Sequence, residues 1–214
     1  FGGIEEVKEM LNLFNRIIDK WLRFYRAKSF EAYTGKKAKN LSILGKVYLR
    51  NKNVIVGENV TLYPGVMFQG EGETLGNNTF LGNNTIVYSE KGYKVSIGAD
   101  CMIAAMCHII NTDHKIASVE CAMNQQGTVS ENISIEDDVW LASAVTVLKG
   151  VNIKRGSVIG AKAVVNKSTE ENGVYVGNIT AVYVLEGTAV INGGNYSIIQ
   201  SYPDSKKATE FVLN

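Results

Sequence analysis

The chain has 214 residues, 45% of them apolar and 20% charged, enough to bury one large core or two small ones. Its 22 Lys and Arg are matched by 21 Asp and Glu, so no global field points to nucleic acid. No apolar run is long enough to span a bilayer and no secretory signal is visible. The three cysteines, Cys101, Cys107 and Cys121, are too few for a disulfide framework, so a reducing cytoplasm is the expected compartment.

In chain order, Ile4 to Lys28 reads as an amphipathic helix. Ile4, Val7, Leu11, Phe14, Ile18, Trp21 and Tyr25 recur at three- and four-residue spacing along one stripe. Arg23, Arg26, Lys28, Lys36, Lys37 and Lys39 cluster around its end. A stripe of this width is expected to dock on the core, in preference to lying on an anionic membrane surface. From about Leu41 the helical spacing stops, and clear sixes begin at Val56: VGENVT, LYPGVM, FQGEGE. After one extra residue come LGNNTF and LGNNTI, then Val87. A longer break leads to IGADCM, IAAMCH and IINTDH. Lys115 to Asn132 loses the beat, which returns near Ile133 and runs unbroken from Ile135 to Val165.

In that last stretch every block opens with an aliphatic residue: Ile135, Leu141, Val147, Ile153, Ile159, Val165. The fifth place is small or β-branched: Val139, Val145, Val151, Ser157, Ala163. Neither an α-helix nor a plain strand has this period, and a sustained six-residue repeat is the signature of a parallel β-helix. Three blocks make one triangular coil, grouping the openers as 56/62/68, 75/81/87, 97/103/109, 135/141/147 and 153/159/165. All insertions then fall between coils. The expected layout is an N-terminal helical segment over 1–40, an all-β parallel β-helix over 41–186 with a projecting loop at about 115–132, and a tail over 187–214. Val174 to Val184 reads as a final strand leaving the stack. The helix and the tail after Leu185 are the expected caps of its open ends.

A base working at neutral pH is most easily a histidine, and the chain has two, His108 and His114. His114 is preferred because the irregular loop departs there, and function concentrates where a loop leaves a rigid scaffold. Asn111 and Asp113 are candidates for orienting its ring. Two histidines per chain cannot build a three-histidine zinc site, and no metal is expected. Cys101 and Cys107 occupy fifth places and read as buried small residues; Cys121 reads as a solvent-facing loop residue.

The segments IEDDVWLASAVTVLKGV and IKRGSVIGAKAVVNK resemble the hexapeptide-repeat acyltransferases nearly block for block. The likeness is greatest to the maltose, galactoside and cell-surface polysaccharide O-acetyltransferases. The resemblance implies a left-handed coil, a homotrimer with active sites in clefts between subunits, acetyl-CoA as donor and direct transfer without an acyl-enzyme. It implies that His114 is the general base, that Asn84 lies in the active site, and that Trp140 lies beside the acceptor and acyl pocket. Ala142, Ser143 and Ala161 match positions along the pantetheine arm, and Asn166 and Lys167 match a pair near the nucleotide end of CoA. The sequence departs from the family at Ala142 and Lys162, where Gly is usual. It departs again after Gly177, where NITAVYV lacks the usual Pro and basic residues. Phosphate contacts are therefore expected at Lys162, at Lys167 or on a neighbouring subunit. The function so implied is acetyl transfer to a hydroxyl of a sugar or cell-surface glycan. Two further readings are an N-acetyltransferase acting on an amino-sugar nucleotide or antibiotic, and a non-catalytic β-helix that binds or scaffolds.

Overall fold

Each six-residue block folds as a strand of two to four residues and a turn. In the strand Trp140–Leu141, Trp140 faces out and Leu141 is fully buried. The fifth residue also turns inward, and Val139, Val145, Val151, Ser157 and Ala163 are all buried. A strand this short can bury little by itself, so its stability comes from the coils above and below it. A computed structural model, which describes residues 2–177 and 182–184, gives that stack as a three-faced β-solenoid.

The first face runs, in parallel, through Ser42–Ile43, Thr61–Leu62, Phe80–Leu81, Met102–Ile103, Trp140–Leu141, Val158–Ile159 and Gly173–Tyr175. The second holds Tyr48–Leu49, Met67–Gly70, Ile86–Ser89, His108–Ile110, Thr146–Val147 and Val164–Val165. The third holds Ile55–Val56, Glu73–Leu75, Val95–Ile97, Ile133–Ile135 and Asn152–Ile153. The openers stack as the sequence predicts. Leu62, Leu81, Ile103, Leu141 and Ile159 form one column. Phe68, Val87, Ile109, Val147 and Val165 form the next. All insertions leave from one corner, between the second and third faces. The stack also starts one coil before the clear sixes, with Ile43 on Leu62 and Leu49 on Phe68. Val56 follows Leu49 at a spacing of seven instead of six, which hides the beat there.

The other two corners turn through left-handed backbone. At the corner entering the first face stand Asn40, Asn59, Asn78, Asp100, Asp138 and Asn172, with φ of 55–57°. Asn tolerates this conformation, and here its side chain also bonds along the stack. The amides of Asn40, Asn59 and Asn78 each donate to the next side chain up, at 2.9, 2.9 and 2.8 Å. At the corner between the first and second faces the same turn falls on Asn84, Met106, Ala144 and Lys162, with φ of 57–62°. A polar cluster lies inside the third corner, where buried Glu73 accepts from Asn51 Nδ2 at 3.0 Å and from Ser89 Oγ at 2.9 Å.

The helix extends from Gly2 to Thr34, beyond the predicted Ile4–Lys28. Only its last turns meet the coil: Phe30 is buried in the first coil, and Arg26 Nη1 donates to Ile43 O at 3.4 Å. The expectation that the apolar stripe docks on the core is overturned. Ile4, Val7, Leu11, Phe14, Ile18, Trp21 and Tyr25 are all exposed, Trp21 at 60%. A 33-residue helix is about 50 Å long, and the end of a coil only a few residues wide cannot cover it. At the other end, Gly173–Tyr175 continues the first face and Val182–Val184 pairs antiparallel to it. The single strand predicted over Val174–Val184 is therefore two antiparallel strands, Gly173–Tyr175 and Val182–Val184. The expected cap after Leu185 and the tail over 187–214 lie outside the described residues.

Two expectations follow. A left-handed conformation costs a non-glycine residue roughly 1–2 kcal/mol, so Ala144→Gly should raise stability by about 1 kcal/mol in urea denaturation, whereas Ala144→Val should lower it. Burial raises the Glu73 carboxyl pKa, while the bonds from Asn51 and Ser89 hold it partly down. The folded state then binds the proton more tightly than the unfolded chain. That contribution is full below the unfolded value and lost as pH rises through the folded one. Thermal melts of Glu73→Gln across that range should show a shallower decline with pH than the unaltered chain.

Candidate active site

The insertion predicted as an irregular loop is rooted in a hairpin, Thr112–His114 against Thr128–Ser130, with a 3-10 turn at Met123–Gln125. The chain leaves the solenoid at Asn111, three residues before His114. Asn111 is fully buried, and its Oδ1 accepts the Glu90 N–H at 2.8 Å. Its Nδ2 has no partner among the described residues. Ser130 Oγ donates to Thr112 Oγ1 at 2.8 Å and ties the two strands. His114 stands exposed on the hairpin. Because side chains alternate along a strand, Asp113 projects from the opposite face to His114. Its carboxylate pairs with Lys149 Nζ at 2.5 Å and so anchors the hairpin to the next coil instead of orienting the imidazole. His108, the other histidine, faces outward on the second face between Ile86 and Thr146.

Lys149 is absent from the residues predicted as functional. The paired strands show where it belongs: His108 lies opposite Thr146, so Asn111 stacks beneath Lys149 once the loop is set aside. Asn166 and Lys167 are exposed at the same corner, one coil on.

The remaining predicted residues occupy other places. Asn84 and Lys162 are both in the left-handed column at the corner between the first and second faces. Ser143 and Ala161 precede the turn residues of that column. Trp140 lies on the first face, 44% exposed, with Met102 below it and Val158 above. Ala142 donates its N–H to Ile159 O at 2.9 Å and is not free to hold an anion. The backbone N–H groups of Ser143 and Ala161, at the same corner, make no bond among the described residues. Gly82, Ala104, Ala142 and Gly160 stack beside them, between Tyr63 in the coil below and Val176 in the coil above, so only the middle of this edge is free of bulky side chains. Lys162 is the cation beside this stretch.

Two clusters result. His114, Asp113, Lys149, Asn166 and Lys167 share one corner; Asn84, Ser143, Ala161 and Lys162 share another. The second face lies between them, and from Met106 to Asn111 it spans about 16 Å. The cysteines belong to neither cluster. Cys101 and Cys107 are buried, and desolvation pushes their thiols up to about 11, while Cys121 is exposed on the loop. Among the described residues no three His, Cys, Asp or Glu side chains could hold a metal ion together.

No family model matches the chain. It is 33% identical over 141 residues to WbbJ of Escherichia coli K12, named for O-acetyl transfer in lipopolysaccharide biosynthesis, covering 61% of this chain and 71% of that one. It is 33% identical over 124 residues to the galactoside O-acetyltransferase of the same organism, covering 57% of this chain and 59% of the relative. The match to the acetyltransferase Rv3034c of Mycobacterium tuberculosis, at 31% identity, spans 39% of this chain and 28% of the relative. Among solved structures, the N-acyltransferase AntD from Bacillus cereus, in complex with dTDP and 3-hydroxybutyryl-CoA, superposes with a TM-score of 0.60 at 21% identity, covering 65% of this chain and 77% of that one. The hexapeptide-repeat acetyltransferase VCA0836 from Vibrio cholerae superposes at 0.52 and 21% identity over 86% of this chain and 91% of that one. With the six-residue beat, the three-faced stack and the likeness to WbbJ over most of that protein's length, the chain belongs to the hexapeptide-repeat acetyltransferases of the left-handed β-helix class.

Proposed function

We propose that the protein moves an acetyl group from acetyl-CoA to a hydroxyl of a sugar or glycan, with His114 as general base. The observation that carries this reading is the exposed His114 on a hairpin whose root is pinned to the next coil by Asp113 and Lys149. A base must be held in reach of its proton before its pKa matters. The imidazole accepts the hydroxyl proton as the oxygen attacks the thioester carbonyl, and the imidazolium then protonates the departing thiolate. The N–H of Ser143 is the donor nearest to hand for the developing oxyanion. Lys162 and Lys167 are the cations for the CoA phosphates.

The two clusters lie on different corners, too far apart to serve one acetyl group within one chain. A neighbouring copy that brings its Ser143 corner against this His114 corner closes the gap, which supports a homotrimer with sites between subunits. Holding thioester and hydroxyl in line supplies much of the rate. The O-acetyltransferase relatives are alike in sequence and AntD in fold alone, so the hydroxyl is the acceptor we propose. The product then separates the readings: an ester is cleaved by mild base, and an amide is not.

In assays with labelled acetyl-CoA against a panel of sugars and amines, His114→Ala should lower kcat by 10²–10⁴-fold with circular dichroism unchanged. Retained turnover would reassign the base. Lys149→Ala frees Asp113 and loosens the hairpin root. It should lower kcat about tenfold while the KM for acetyl-CoA holds, at under about 1 kcal/mol of stability, since the pair is partly exposed.

A further inference from the structure

Among the described residues nothing covers the apolar half of the N-terminal helix. Met10, Phe14, Ile17, Trp21 and Phe24 lie along its centre, and each is 57–62% exposed. A row of this size on a soluble chain marks an interaction site. The helix is not long and apolar enough to cross a bilayer. Its lower end runs into a groove of about 460 Å³ between the helix and the first coil, lined by Tyr25, Phe30, Tyr33, Val47 and Leu49, with Arg26 and Lys46 at its edge.

Charge gives this surface its second property. Half of the chain's 22 basic residues fall within residues 16–52, with only two acids, Asp19 and Glu31. Both acids are already engaged, Asp19 by Arg23 at 2.5 Å and Glu31 by Lys28 at 2.6 Å. The rest of the chain is net acidic, so the overall charge of +1 conceals a strongly basic end. Two of its cations sit over aromatic rings next to the groove, Lys46 at 4.7 Å from the Tyr48 centroid and Lys52 at 5.9 Å from that of Tyr33. The other acids of the helix, Glu5, Glu6 and Glu9, stand at its far end, about 30 Å away along the axis.

We propose that this end of the molecule is a peripheral membrane site that lies on an anionic phospholipid surface. The helix rests in the interfacial plane with Phe14, Ile17, Trp21 and Phe24 at the acyl boundary, and the basic segment from Arg16 to Lys52 meets the lipid headgroups. An amphipathic helix with aromatic residues on one side and an adjoining run of cations has the chemistry such a surface selects, because apolar burial and charge attraction add. A second copy is the poorer partner. Face-to-face packing of parallel helices would set two segments carrying eleven cations each well within a Debye length of one another. The inference does not depend on the acetyl-transfer chemistry.

The test is co-sedimentation of the 214-residue chain with vesicles of phosphatidylcholine alone and of phosphatidylcholine mixed with phosphatidylglycerol. Expected is binding to the mixed vesicles that falls with salt and is at least tenfold weaker on phosphatidylcholine alone. Phe14→Glu/Trp21→Glu and Lys46→Glu/Lys52→Glu should each weaken it at least tenfold, at about 1 kcal/mol per basic side chain near the surface. These side chains are exposed, so circular dichroism should match the unaltered chain. No binding to mixed vesicles at low salt overturns the proposal. So does equal, salt-insensitive binding to both vesicles. So does a smaller assembly in sedimentation velocity for Phe14→Glu/Trp21→Glu together with no vesicle binding, which would place a second copy on the face.

Discussion

An aliphatic opener in this chain is dry only because the coil above and the coil below each present another at the same register. Leu141 sits between Ile103 and Ile159, and Val147 between Ile109 and Val165. A one-residue slip in any block would turn an opener outward and leave its two neighbours unpaired. The rest of the molecule works within that constraint. Insertions leave only at the corner between the second and third faces, because there the chain can depart and return without shifting the beat. The hairpin of His114 is the largest of these departures. The other two corners stay short and turn through left-handed residues, as asparagines bonded along the stack at one and as Asn84, Met106, Ala144 and Lys162 at the other.

The same regularity distributes the chemistry. A β-solenoid is rigid, and its width is set by the number of residues in a block. Groups on different corners of one chain are therefore held apart by a fixed length that no side-chain rotation closes. His114 and Lys149 lie on one side of that length, and the N–H groups of Ser143 and Ala161, unbonded among the described residues, on the other. In the reaction proposed, which needs both, a second copy of the chain supplies one of them. Its geometry is then set by rigid scaffolds instead of by a flexible loop within one chain.

The helix follows a different rule. Its heptad-like stripe is as well formed as that of a docked helix, yet it stands away from the core, because docking needs a facing surface of matching length. The solenoid offers such a surface only along its sides, and the helix leaves from its end. What the helix carries instead is a segment whose cations and apolar residues are both left facing outward.

Much of the fold was legible in the residues themselves. A period of six with small fifth positions has few physical solutions, and the grouping of openers into coils is the grouping found. His114 stood out because only two histidines exist and one lies where the beat breaks. Lys149 did not stand out, since its place beside Asp113 appears only when a twenty-residue excursion is removed and the corners are aligned. Asp113 looked like a partner for His114 because the two are adjacent in sequence, but adjacent residues on a strand face opposite ways. The exposure of the helix stripe was equally hidden, since a sequence pattern shows that a face is apolar and not what stands opposite it. By itself, then, the sequence determined the repeat, its stacking register and the corner from which the loop departs, because these follow from local periodicity and burial. Only the tertiary structure decided which side chains meet across coils and which apolar face is left uncovered, because both depend on distances between residues far apart in the chain.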